Sequence, residues 1–145
     1  MQYDTHMEAR VWSRVMGKGS ENCPTESCHK EDGLTRMLRE EMRQYRIFRC
    51  LSRLLPEQRK QLSCLQELAK RNITYLKALY FVENNSCFRQ NSCEEIKICS
   101  PCDTLRELYR SMTEGIEKYG NAREEWAKNK RTQQKYILCI LQSLL

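Results

Sequence analysis

At 145 residues the chain fits one domain, large enough to bury a core without covalent staples. Hydrophobic residues make up 40% and charged residues 30%, the balance of an ordinary globular protein, and no run approaches the ~18 uninterrupted apolar residues of a membrane span. The formal charge of +6 gives only a weak preference for acidic partners, because placement decides its meaning.

The segment Met1 to Arg14 is polar and has no apolar signal core, which makes the cytoplasm the expected compartment. Residues 7–16 read as a short amphipathic helix, with Met7, Val11 and Val15 sharing one face. Gly17 and Gly19 stop it. A polar linker to Gly33 follows, containing Cys23, Pro24, Cys28 and His29. The expected division is residues 1–33 as helix plus linker and residues 34–145 as a helical bundle.

With five glycines and three prolines there are few breakers, so the remaining helices should be long. The first covers about 34–55 and is closed by Pro56. Its apolar stripe of Leu34, Leu38, Tyr45, Phe48 and Leu55 includes Glu41, while Arg36, Arg39, Arg43, Arg46 and Arg53 line the other face. The second starts at Pro56 and reaches about residue 82. Its stripe of Leu62, Leu65, Ala69, Leu76 and Leu79 includes Asn72.

Residues 83–100 form a long connection. Antiparallel neighbours in a bundle need only about 2–8 linking residues. A connection of this length can instead span the bundle, leaving the second and third helices parallel. The third helix opens with Thr104 and Glu107 spaced as a capping box, carries Leu105, Leu108, Tyr109, Met112, Ile116 and Tyr119, and ends at Gly120. Asn121 and Glu124 have the spacing of a cap for the fourth. Its stripe runs through Trp126, Lys130, Gln133, Ile137, Ile140 and Leu144 to the C-terminus.

Nine cysteines is a high and odd count. Cys87, Cys93, Cys99 and Cys102 in and beside the connection are candidates for a four-thiolate zinc site, although only the last two form a close pair. Cys99-Ser100-Pro101-Cys102 is alternatively a redox C-x-x-C, with Ser100 and Asp103 capping the third helix and Pro101 in its first turn. Cys99 would then stand where the helix dipole favours thiolate. Cys50, Cys64 and Cys139 read as small core or boundary residues. His6 and His29 are the only histidines and lie outside the bundle, which excludes a histidine-rich catalytic metal site. The arginine face reads as solvated. It lacks the interleaved aromatics of a nucleic-acid surface, and there is no Gly-rich phosphate loop or nucleophile elbow.

Glu41, Asn72, Lys130 and Gln133 are polar residues on core-facing stripes, which is costly unless they are paired. Together with Glu8 to Gly17, Glu40-Glu41 ahead of Leu51-Ser52-Arg53, and Tyr75 to Tyr80, their order and spacing resemble the small bacterial ferritin-like, rubrerythrin-related proteins. The resemblance spans nearly the whole chain and implies an all-α, ferritin-like four-helix bundle with a long crossover between its second and third helices. That family sets two lone glutamates and two Glu-x-x-His pairs around two irons. Carried over, Glu41 matches the first glutamate. Ala69 and Asn72 replace the first pair, Met112 the second glutamate, with Glu114 two residues off, and Lys130 and Gln133 the second pair.

One ligand of six cannot hold two irons, so the family's oxidase or peroxidase chemistry is not expected. Glu41 is a remnant ligand or a buried carboxylate with Arg, Tyr or Lys partners. Lys130 either neutralises Glu41 in place of the metals or snorkels to solvent. The leading expectation is a degenerate, non-catalytic ferritin-like protein without a cofactor, associating with a protein partner or its own copies, with no nucleic acid or membrane involved. The alternatives are a zinc or thiol-redox protein using the connection cysteines, and an atypical ferritin-like oxidoreductase binding iron weakly at Glu41.

Overall fold

The computed structural model describes residues 32–90 and 94–145. The chain divides into two units at Gly33, and the helices belong to the second, Leu34–Leu145, with Gly33 itself opening the first of them. The expected helix at 7–16 and the linker with Cys23, Cys28 and His29 lie outside the described residues.

The described residues are all-helical and contain no strand. Helix α1 is Gly33–Leu54, α2 Arg59–Asn84, α3 Pro101–Tyr119 and α4 Glu124–Leu144. Pro56 opens a 3-10 turn, Pro56–Gln58, rather than α2 itself. A proline fits a first turn because no earlier carbonyl awaits its missing N–H. Helix α2 ends on Asn85, whose left-handed φ of 54° lets its N–H reach Phe81 O at 2.8 Å.

Of the two starts expected for α3, the Ser100 cap is made, its hydroxyl accepting from the Asp103 N–H at 3.4 Å, and the Thr104–Glu107 capping box is not. Pro101 decides this, because its fixed φ suits the first helical position and puts Thr104 inside the helix. At α4 the N-cap is Arg123, without a side-chain cap bond, and not Asn121. Glu124 and Glu125 in its first turn complement the helix dipole. Gly120 closes α3 with φ −60°, so it does not act as a left-handed cap.

Two apolar clusters form the core. One joins Phe48 and Leu51 of α1, Leu62 and Leu65 of α2, Leu105 and Leu108 of α3, and Ile137 and Ile140 of α4. The other joins Leu34 and Leu38 of α1, Leu76 of α2, and Trp126 and Ala127 of α4, with Ile116 and Tyr119 of α3 packed against it. Burying one such side chain stabilises the fold by about 1.5–3 kcal/mol. Ile96 and Ile98 bring the end of the connection onto the first cluster, whereas Phe88, near its start, packs edge-on to Tyr80 beside the second.

The arginine face of α1 is not wholly solvated as expected. Arg43 and Arg46 are half-buried, and Arg46 donates to the Glu94 carbonyl at 3.4 Å. The connection lies beside this face and bounds, with α1, a groove of about 410 Å³. Long guanidinium stems cover surface without losing their charge, which a reading of polar against apolar positions does not register.

Candidate functional site: a polar layer between two apolar clusters

On each of three helices a polar residue falls between the residues given to the two clusters. Glu41 and Gln44 lie between Leu38 and Ile47, Asn72 between Ala69 and Leu76, and Lys130 and Gln133 between Ala127 and Ile137. Helical spacing makes this unavoidable, since positions three or four apart share a face. All six family-derived positions are buried: Glu41, Ala69, Asn72, Met112, Lys130 and Gln133 are each no more than 2% exposed.

Glu41 is the centre of the layer. Its Oε1 meets the Lys130 ammonium in a fully buried ion pair. The same oxygen accepts from Trp126 Nε1 at 2.8 Å and, at the limit of bonding distance, from Asn72 Nδ2 at 3.5 Å. Lys130 Nζ also donates to Gln44 Oε1 at 2.5 Å and stands 5.9 Å from the centre of the Trp126 ring. Lys130 therefore does not snorkel to solvent.

The network reaches outward through neutral amides. Asn129 donates to Asn72 at 2.8 Å, and Gln44 donates to Glu40, which also holds Arg43 at 3.1 Å. Gln133 instead donates to the Leu65 carbonyl at 3.0 Å, tying α4 to α2. Satisfied partners are what make such burial tolerable. Satisfaction is incomplete at Glu41 Oε2, Gln133 Oε1 and the Tyr119 hydroxyl, which are buried and have no partner.

These residues do not fit a pair of irons. The layer offers one carboxylate, and the group against it is an ammonium, which repels a cation and has no lone pair to give while protonated. Asn72, Gln133 and Met112 are neutral. Glu114 is exposed at the edge of a cleft next to the layer.

Of the connection cysteines, Cys87, Cys99 and Cys102 fall among the described residues and form no three-ligand group there. Cys87 and Cys99 are exposed and Cys102 half-buried, all three as free thiols, and Cys93 lies outside the described residues. Among the described residues no three His, Cys, Asp or Glu side chains form a metal-sized group. Cys99 does precede the Ser100 cap, in keeping with its spacing. Cys50 and Cys64 are at the boundary, but Cys139 is exposed, which corrects its reading as a packed residue. Cys64 raises the Tyr136 hydroxyl above the ordinary tyrosine range, first through hydrogen bonding and then through the negative charge of its thiolate form, with desolvation adding to it.

Periodicity missed two contributors. Gln44 follows Glu41 by three residues and so shares its face, a signal that was available. Trp126 was on the stripe, but nothing in its spacing tells that its indole N–H is spent on Glu41. No helix among the described residues is long and apolar enough to cross a membrane. No protein-family model, curated protein or solved structure matches the chain.

Proposed function

We propose that residues 34–145 are a degenerate ferritin-like four-helix bundle that works without a metal or catalysis, by associating with a protein partner or with its own copies. The observation that carries this reading is the Lys130 ammonium seated on Glu41. A cation supplied by the chain neutralises the one carboxylate that would have served a metal. Support for the single-crossover topology comes from cluster order. Helices α2 and α3 both begin in the Phe48 cluster and finish beside the Leu38 cluster, whereas α1 and α4 run the other way.

A surface role draws support from Phe81 and Val82, adjacent apolar residues near the end of α2 that are half and three-quarters exposed. The test is elemental analysis of protein purified without chelators under anaerobic conditions, paired with sedimentation equilibrium over a range of concentrations. The expected result is much less than one metal per chain. Stoichiometric iron or manganese would overturn the reading. Zinc near one per chain, lost when Cys99 and Cys102 are changed to Ser, would give the role to the connection cysteines instead. Mass rising with concentration would identify the chain's own copies as the partner.

A further inference from the structure

We propose, resting on the association reading above, that the stripe of Arg46, Arg49 and Arg53 on α1, joined by Lys70 of α2, docks an acidic α-helix of a protein partner. The three arginines are spaced three and four residues apart, so they share one stripe about 10 Å long. Arg49 and Arg53 are exposed and Arg46 is half-buried. None of the three takes part in an ion pair among the described residues. Glu94 meets Arg46 only through its main-chain carbonyl. Lys70 adds a positive charge from a second helix. Its ammonium stands 5.8 Å from the centre of the Tyr45 ring, and the Arg49 guanidinium stands 6.0 Å from the same centre. Glu67, three residues before Lys70, pairs with neither. Two like charges from two helices thus gather at one ring with no carboxylate bonded to either. An exposed contact of this kind is weak, and a carboxylate brought between the cations would turn their repulsion into shared attraction.

Spacing selects a helix as the partner. Carboxylates on one face of an α-helix recur every three or four residues, a rise of about 4.5–6 Å, which is also the rise between successive arginines of the row. Same-face residues of a β-strand advance by about 6.6–6.8 Å and fall out of step along it. Arginine suits carboxylates, because its planar fork takes one with two parallel bonds. A single-stranded nucleic acid would want an open aromatic face on which to stack its bases. Tyr45, the aromatic residue beside the row, already carries Arg49 and Lys70 and packs against the Phe48 cluster. The chain's own α3 is a poor occupant. Its exposed Glu107 and Glu114 have Arg110 between them, and Asp103 is already paired with Arg106 at 3.9 Å. On α4 the exposed Lys128, Arg131 and Lys135 repeat the spacing of the row, but two of these are lysines, point charges without the fork.

The assay is titration of the full chain, followed by heteronuclear NMR, with an alanine-rich helical peptide carrying glutamates at alternating three- and four-residue spacing. Saturable shifts centred on Arg46, Arg49 and Arg53 are expected at low ionic strength, with a dissociation constant of about 1 mM that weakens as salt is added. Arg49→Gln combined with Arg53→Gln should weaken binding roughly 3- to 10-fold, and Lys70→Gln, on the other helix, roughly 1.5- to 5-fold. Arg131→Gln combined with Lys135→Gln removes the same charge from α4 and should weaken it less than about twofold. Circular dichroism checks that each variant keeps its helices. No saturable shift, equal losses in the α1 and α4 variants, or equal binding of a peptide with glutamine in place of glutamate would each overturn the proposal. So would a DNA duplex that binds more tightly than the peptide at the same salt and is lost in the α1 variant, which would give the row to nucleic acid. The association reading is judged by metal content and sedimentation, so it can stand if the peptide fails to bind.

Discussion

Replacing Lys130 by methionine tests the ion pair directly. Methionine keeps much of the length and apolar stem of lysine while removing its charge. In the variant, Glu41 would keep the Trp126 indole and the long Asn72 contact but no counter-charge, in a place 1% exposed. Gln44 Oε1 would lose its donor as well. Breaking a buried pair from one side commonly costs about 3–5 kcal/mol, because the stranded charge must be desolvated without compensation. Against a typical total of about 5–15 kcal/mol, that is a large part of the stability. Adding Glu41→Gln should restore much of it, since the new amide carries no charge and its oxygen can still accept from Trp126. The measurement is a double-mutant cycle by urea denaturation, using the single variants, the double variant and the parent. The expected coupling is at least about 2 kcal/mol, whereas independent sites add to within roughly 0.5 kcal/mol. Additive losses would refute the claim that the lysine is there for the glutamate.

Ser100→Ala should destabilise the protein by about 0.5–2 kcal/mol as the α3 cap is lost, while Thr104→Ala should change stability little; the reverse pattern in thermal melts would return the cap to Thr104. A Cβ at Gly115 would stand 3.2 Å from the Trp126 indole, so Gly115→Leu should cost about 1–3 kcal/mol by forcing Trp126 away from α3, and it should alter the emission of that tryptophan in a Trp12→Phe background. Unchanged emission would mean that the glycine does not hold the indole in place.

Much of this arrangement could be read from the sequence, though unevenly. The inward positions were legible because a helix repeats its faces every three to four residues, so Glu41, Asn72, Lys130 and Gln133 fall in line with their apolar neighbours. Helix ends were less legible. Ser100 to Asp103 and Thr104 to Glu107 have the same cap spacing, and only the rigid ring of Pro101 separates them. At α4 no side chain caps the helix at all, so the cap spacing of Asn121 and Glu124 pointed to a cap that is not made. Partners across the core were hidden for a different reason. That Trp126 and Glu41 meet depends on helices 85 residues apart in sequence coming side by side. Periodicity states which way a residue faces, not what it faces.

The polar layer has a consequence for alignment as well as for charge. Leucine stripes by themselves tolerate sliding, because one apolar turn packs much like the next. If α4 moved one turn along its axis, about 5.4 Å, the place of Lys130 opposite Glu41 would pass to Ala127 or Gln133, neither of which carries a charge, and Lys130 would lie against one apolar cluster or the other. The penalty for that error is a stranded charge, far larger than the loss of one methyl contact. The layer thus acts as an index mark cut into an otherwise slippery set of cylinders. A variant with Glu41, Gln44, Asn72, Lys130 and Gln133 all made apolar could be harder to unfold, yet its helices would have several near-equal ways to lie together.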